Sequence, residues 1–430
     1  MNTHRFAAAA AALFLCAALA AQTGYEDAIR EDPTRCAGVH HSYEYIPAAE
    51  TPSPAGYEAF YVSHYGRHGS RRATGQDSAY AVQLLDKARE AGMLTAEGEL
   101  LLEAVKAVDA DHEGMVGELT ARGACEHRDI ARRLYERHPG VWSASARPEV
   151  HVQSSTYSRC LVSMANFTSS LDDDAPQLKF DFVSGKKYLD LLAHDLYDSD
   201  KVQEAAQAAM FEMALSSIDS VRFIRNVFAA EPDRVRELVG STAEFIYVIW
   251  DVACIQQCTE TPGTDILTHF FTLDELCTWY KCENAAIYAM LGNSVEYGKN
   301  VCWAARGLVQ DFIDRADAAL ADGSPTAADL RFGHDSGILP LVCLMDLVGP
   351  GDTTTIANAS DIWQSYRRVP MASNLQLVFY RKAGAEPLVK IYYNEEETLV
   401  RGLAPVQGPY YSWSALKAHL ERRIAEYNFE

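Results

Sequence analysis

The sequence predicts an α/β fold: a Rossmann-like mixed sheet flanked by helices, with an all-α segment inserted into it. Three observations carry that expectation. Short alternating runs rich in aromatic and β-branched residues recur between longer stretches of helical period. From about Asp200 to Ala321 the patterns are long, amphipathic and helical, with no strand-like run. Strand character then returns near the C-terminal end. With 430 residues, 48% hydrophobic and 23% charged, the chain is long enough for two domains with substantial cores.

The first segment, Met1 to Gln22, matches a secretory signal. Arg5 with His4 forms a thin n-region, Phe6 to Cys16 an apolar h-region, and Ala18-Leu19-Ala20 an A-x-A cleavage site. Residues 1–20 are therefore expected to be removed and the mature protein exported, to the periplasm or beyond. Lipoprotein anchoring at Cys16 is disfavoured, because Leu15 is not the small residue a lipobox wants. No later segment reaches the about 20 apolar residues that a membrane span needs, so no stable membrane insertion is expected.

Glu58 to His64 alternates and reads as a strand, ended by a turn at Gly69. Helical patterns follow over Asp77–Ala91, Thr95–Ala110 and Thr120–Arg137, the last with Thr120 as N-cap. Glu149–Gln153 reads as a short strand and Thr156–Leu171 as a helix. Val221–Ala230 and Phe245–Cys258 are amphipathic helices of the middle region. Ala328–Gly333, Leu375–Arg381 and Leu388–Tyr393 read as strands, and Ser412–Tyr427 as a closing helix. The expected division is an α/β core over 21–175 and 325–430 with an inserted helical domain over 176–324. The crossing points are Asp172-Asp173-Asp174-Ala175-Pro176 and Asp322-Gly323-Ser324-Pro325.

A formal charge of −21 argues against nucleic-acid partners and acidic membrane surfaces, which need a basic footprint. In so acidic a chain, the placement of the few arginines tells more than their number. Arg67-His68-Gly69-Ser70-Arg71 sets a histidine between two permanent cations at the end of a strand, where open α/β sheets bind ligands. Guanidinium forks match phosphate oxygens, and their charge pushes His68 toward its neutral, nucleophilic form. Arg159, after Ser154-Ser155-Thr156, falls in the first turn of a helix, near its positive end. In Arg331-Phe332-Gly333-His334-Asp335-Ser336-Gly337, an adjacent histidine and carboxylate follow another strand and offer a hydrogen-bond donor and a general acid. Taken singly, each segment has an ordinary reading as a turn or a helix cap. Together they hold a nucleophile, several cations and an acid, the parts of phosphoryl transfer through a phosphohistidine. Arg72 and His64 lie close enough in sequence to be secondary candidates.

With these segments the chain resembles the histidine acid phosphatase branch of the histidine phosphatase superfamily. Gly117-Glu118-Leu119-Thr120-Ala121-Arg122-Gly123 is similar to the family's G-x-L-T-x-x-G segment. Ser155-Thr156 through Arg159 to Ser163 and Phe167 is similar to its third-arginine helix, and Met371-Ala372-Ser373-Asn374 leads into a similar late strand. The resemblance implies His68 as nucleophile, Arg67, Arg71, Arg159 and His334 as phosphate cradle, and Asp335 as proton donor, without metal or other cofactor. Phe271-Thr272-Leu273-Asp274-Glu275-Leu276, Trp279 and Asn284 resemble multiple inositol polyphosphate phosphatases, a phytate-degrading group. That group has His-Ala-Glu where this chain has His334-Asp335-Ser336, the arrangement of other phytases and acid phosphatases of the branch.

The implied function is an exported phosphomonoesterase acting on a small-molecule phosphomonoester, with phytate-like inositol polyphosphates preferred. The rivals are a broad acid phosphatase acting on sugar phosphates or nucleotides, and a non-catalytic phosphate-binding protein. Lys186 and Lys187 are either a basic extension of the pocket or a solvated pair. Cys254, Cys258, Cys277 and Cys282 fit no compact zinc ribbon, and in an exported protein they favour disulfides.

Overall fold

The computed structural model describes residues 24–192 and 218–427, with residues 201, 204–206, 208–209 and 212–213 between them. The expected signal segment and Cys16 lie outside the described residues.

One eight-stranded sheet organises the molecule. Its strands are β1 (Glu58–Arg67), β2 (Glu149–Ser154), β3 (Lys179–Ser184), β4 (Thr326–Gly333), β5 (Asn374–Arg381), β6 (Leu388–Tyr393), β7 (Glu396–Thr398) and β8 (Tyr410–Ser412). They run in the order β3-β2-β4-β1-β5-β6-β7, with β8 also paired to β6. The pairs β1–β4, β4–β2 and β2–β3 are parallel, whereas β5 pairs antiparallel with β1 and β6 antiparallel with β5. The carboxyl ends of β1 to β4 therefore share one edge, bringing Arg67, Ser154, Ser184 and Gly333 together.

Side-chain alternation sends the strands into two cores. Val62, Val152, Leu330 and Phe332 meet the Ala121–Arg137 and Ser158–Asp174 helices through Ile130, Leu134, Phe167 and Leu171. On the other face Tyr61, Tyr65, Leu375 and Leu377 meet the Arg306–Leu320, Asp335–Leu344 and Trp413–Glu426 helices. A third core is wholly helical, with Trp250 and Trp279 stacked at 5.7 Å in its interior.

The elements expected from sequence form within a few residues of their expected bounds, and Thr95, Thr120 and Ser412 each cap the helix that follows them. The division between them differs. Strand β3 lies beyond the expected boundary at 175, where the chain was expected to turn helical, and pairs along its full length with β2. Its alternation is weak because it is an edge strand with four of its six side chains exposed. The Asp77–Glu90 and Ala96–His112 helices, assigned by position to the α/β core, bury Leu84, Leu85, Leu101 and Val105 in the helical core with Phe223 and Phe245. Two separated parts of the chain thus build the helical layer.

The nine cysteines from Cys36 to Cys343 are free thiols, so the expected disulfides are not formed among the described residues. Cys36, Cys254 and Cys282 pack in the helical core and Cys302 and Cys343 in the core beneath the sheet, as small apolar side chains. No single described helix is long and apolar enough to cross a membrane.

Candidate active site

At the shared edge, three loops are joined through their backbones. The amide of His68 donates to the Gly333 carbonyl at 2.9 Å, that of Arg67 to Ser373 at 2.8 Å, and that of Ala372 to His68 at 2.9 Å. Ala372 meets this demand at φ 55°, a left-handed conformation that costs a non-glycine residue about 1 kcal/mol or more. Two glycine contacts set how closely the layers approach. A Cβ on Gly69 would lie 2.5 Å from the Gly123 carbonyl oxygen, and one on Gly123 would lie 2.2 Å from that of Ser70. The loop after β1 therefore rests directly on the first turn of the Ala121–Arg137 helix.

The six residues expected to form the site converge here. His68 Nδ1 lies 3.0 Å from the Gly69 carbonyl oxygen, an acceptor only, so Nδ1 carries the proton and Nε2 keeps its lone pair. Arg67, with a side chain 0% exposed, donates through Nη1 to the carbonyls of Val39 and Val369 and pairs through Nη2 with Asp335 at 2.8 Å. Arg71 has neutral partners, the Arg72 carbonyl and His40, and Arg159 faces His334 Nδ1 at 3.5 Å and the Tyr157 ring. Among the described residues neither guanidinium forms an ion pair, so both charges are available to a ligand. The His334 and His68 rings meet edge-on at 5.5 Å, and Ser155 Oγ orients His334 through Nε2 at 3.0 Å. Asp335 is the first residue of its helix, and its side chain is 27% exposed.

The electrostatics follow from crowding three guanidinium cations and two imidazoles into one recess. Burial, then the charges of Arg67, His334, Arg71 and Arg159, push the His68 imidazole well below its usual pKa, which keeps it neutral. Burial and Arg159 bring His334 down to about 4. For Asp335 burial opposes ionisation, but Arg67, His334 and Arg71 outweigh it and hold the carboxyl at about 2. Burial beside Arg67 and Arg159 lowers Arg71 to about 10. An anionic ligand relieves this mutual repulsion.

Other candidates separate cleanly. Arg72 is bound by Asp111 through two nitrogens, at 2.8 and 3.1 Å. His64 is buried between Phe167 and Phe332, away from the recess. Arg331, although in the same motif as His334, pairs with Asp311 at 2.7 Å beneath the sheet. Lys186 and Lys187 are exposed beyond β3, with Lys187 over the Tyr188 ring. Asn284 ties its helix to the 363–365 loop, accepting from the Ser365 amide at 2.7 Å and donating to the Trp363 carbonyl at 2.9 Å. Trp279 and Asn284 therefore serve packing. Among the described residues no group of three or more His, Cys, Asp or Glu side chains is placed to hold a metal ion.

Sequence reasoning missed a supporting set. Glu126 accepts from the Ser70 amide and hydroxyl, both at 2.7 Å, and from the Tyr43 amide at 3.0 Å. Ser163 Oγ accepts from the Gly69 amide at 3.2 Å. Tyr65 Oη occupies the space that a Cβ on Gly333 or Gly337 would need, at 2.1 and 1.9 Å. The available signal was a glutamate on the apolar face of an amphipathic helix, one turn past Gly123.

The family profile described as Histidine phosphatase superfamily (branch 2) matches residues 66–394. Among solved structures, the chain is similar to the Bifidobacterium longum multiple inositol polyphosphate phosphatase in complex with inositol hexasulfate. That match has a TM-score of 0.76 at 19% identity and covers 90% of this chain and 97% of that one. It is also similar to the phytase from D. castellii, with a TM-score of 0.67, 13% identity and coverage of 91% and 85%. The Hafnia alvei phytase in complex with tartrate follows at 0.54, 12%, 86% and 98%. At these identities the likeness is one of fold. No curated protein matches the chain.

Proposed function

The chain belongs to the histidine phosphatase superfamily, branch 2, and is a phosphoric monoester hydrolase; on that premise we propose that it dephosphorylates phytate-like inositol polyphosphates through a phosphohistidine on His68. One observation carries the mechanism: His68 presents an unprotonated Nε2 inside a ring of Arg67, Arg71, Arg159 and His334. Nε2 attacks phosphorus in line, the bond to the ester oxygen breaks, and Asp335 gives that oxygen its proton. The arginines and His334 hold the non-bridging oxygens while charge redistributes. Water then attacks the phosphohistidine, Asp335 takes its proton, and phosphate departs with His68 restored. Asp335 is ionised in the empty site. A bound phosphate draws the charge of Arg67 to itself and so lets Asp335 hold a proton. The arginines neutralise the phosphoryl charge, and the mechanism uses no metal or other cofactor.

The substrate class draws support from the Bifidobacterium enzyme, a multiple inositol polyphosphate phosphatase crystallised with inositol hexasulfate and with phosphate. We place the mature enzyme outside the cytoplasm, on the signal-like Met1 to Gln22. A broad acid phosphatase is the second reading, since Asp251 near Arg71, once ionised above about pH 7, is unfavourable to a crowded polyphosphate. Phosphate release from phytate and from p-nitrophenyl phosphate, compared from acidic to neutral pH, separates the two. His68→Ala is expected to lower turnover of both roughly 10⁴-fold or more, as loss of a covalent nucleophile does. Unchanged turnover would reject the mechanism.

A further inference from the structure

Beyond the phosphate cradle, the recess has a wall that the mechanism does not use. His40 ends the short helical segment Pro33–His40, and Asp251 lies on the Thr242–Gln256 helix of the helical layer. His40 Nε2 is 3.3 Å from Arg71 Nη2, and its Nδ1 is 3.9 Å from Asp251 Oδ1. Arginine only donates, so Nε2 is the acceptor, and the neutral ring carries its proton on Nδ1, facing Asp251. Both side chains lie deep yet reach solvent, at 17% and 18% exposure. His40 therefore stands between Arg71 of the cradle and Asp251 of the helical layer.

We propose that His40 and Asp251 form a recognition pair beside Arg71 at the edge of the recess. His40 holds the Arg71 guanidinium in its phosphate-binding orientation, and the Asp251 carboxylate selects against a second phosphate beside the ester being cleaved. This rests on the reading of the recess as a phosphomonoesterase site, and deepens it by assigning substrate selection to residues contributed from the helical layer.

The groups around Asp251 decide when this selection operates. Arg71 faces it from the loop after β1, Asp77 from the start of the Asp77–Glu90 helix, Glu283 from the Leu273–Leu291 helix, and His40 across 3.9 Å. On its own helix it interacts with Tyr247 and Cys254. Burial and the charge of Asp77 outweigh Arg71 and push the Asp251 carboxyl up to about 7. Glu283 is 8% exposed, its Oε2 has no hydrogen-bond partner, and burial raises it well above the usual carboxylate range. In mildly acidic solution Asp251 is therefore a neutral hydrogen-bond donor, compatible with a neighbouring phosphate. At alkaline pH it is an anion beside the cradle, and polyanions are repelled while a lone monoester with a hydroxyl at that position is accepted.

Calorimetric titration with inositol hexasulfate tests this, because its sulfate esters stay ionised throughout and only protein groups titrate. Wild type and Asp251→Asn are expected to bind it equally near pH 5. Near pH 8.5 the variant should bind about tenfold tighter, the scale of one charge at short range in a partly solvated recess. A wild-type to variant Kd ratio that stays constant with pH would overturn the proposal, and so would failure of Asp251→Asn to bind the hexasulfate at any pH. For the second half, His40→Ala should weaken inorganic phosphate binding about tenfold at every pH. His40→Gln, whose side-chain oxygen replaces Nε2 as acceptor, should restore it. Equal binding by wild type and His40→Ala, or no rescue by Gln, removes His40 from this role. Failure of wild type to release phosphate from any monoester, with these binding results intact, would instead reject the proposed function.

Discussion

Asp335 and His68 illustrate how neighbours set the chemistry of a single side chain. The Gly69 carbonyl fixes the tautomer of His68, and burial among cations keeps it neutral, so the proposed attack by Nε2 needs no general base. In the proposed mechanism Asp335 moves a proton, although Arg67, His334 and Arg71 hold it at about 2 in the empty site. Its contribution should therefore depend on how badly the leaving group needs a proton. Asp335→Asn is expected to slow hydrolysis of an alkyl phosphate by about 10²- to 10⁴-fold and that of p-nitrophenyl phosphate far less. Steady-state kcat for the two esters decides, and equal losses would exclude Asp335 as the acid. Much at this scale was legible in the sequence, since Arg67, His68, Arg71, Arg159, His334 and Asp335 all belong to readable motifs at strand or helix ends. Glu126 and His40 were not, and Ser163 stood in a motif without a role, because all three act through hydrogen bonds to residues distant in sequence.

At the scale of elements, the Ala121–Arg137 helix supports the nucleophile loop through its first turn. Thr120 caps it and also donates to the Ser70 carbonyl, while Glu126 one turn on accepts from the Ser70 amide. Gly123 makes that approach possible, which gives the Gly117–Gly123 segment a physical reason. Gly123→Ala should displace the loop, destabilise the fold by about 1–3 kcal/mol, and reduce kcat/KM on p-nitrophenyl phosphate by tenfold or more. Gly140→Ala, whose new Cβ meets only the Ala59 carbonyl oxygen at 3.5 Å, should change neither. Denaturant unfolding and steady-state kinetics of the pair provide the comparison; a Gly123→Ala enzyme with full activity would dissociate the helix from the loop's function. The cap and the helix could be read from local pattern. That the helix bears on the loop could not, because a glycine states only that space is needed and not what fills it.

Taken as a whole, the molecule buries several imidazoles. Burial brings His40, His64, His127 and His138 down to about 3 and His334 to about 4, and holds His68 well below its usual value. A depressed histidine pKa means that, below about pH 6.5, the unfolded chain binds protons the native state refuses. Each such group removes up to about 1.4 kcal/mol of stability per pH unit until its folded pKa is reached. Asp335 and Glu44, both held at about 2, add losses in the same direction below pH 4. The raised carboxyls of Glu126, Asp251 and Glu283 act oppositely, their stabilisation fading as pH rises above the usual carboxylate range. The histidines outnumber them, so the thermal midpoint should fall steadily from about pH 6.5 to 4. Calorimetry across that range checks it, and a midpoint that is flat or rises on acidification would contradict it.

Seven of the helices, five of the eight strands and the motifs whose residues meet in the recess are legible in the chain alone. These rest on local period, capping and residue chemistry, which short windows of chain already contain. Packing between distant segments was needed to show that β3 joins the sheet, that the helices over 77–112 belong to the helical layer, and which cations remain available. Arg72 and Arg331 looked as well placed as Arg71 and Arg159, yet Asp111 and Asp311 neutralise the first two. Whether an arginine meets a carboxylate depends on contacts between distant segments, and such contacts exist only once the layers have packed.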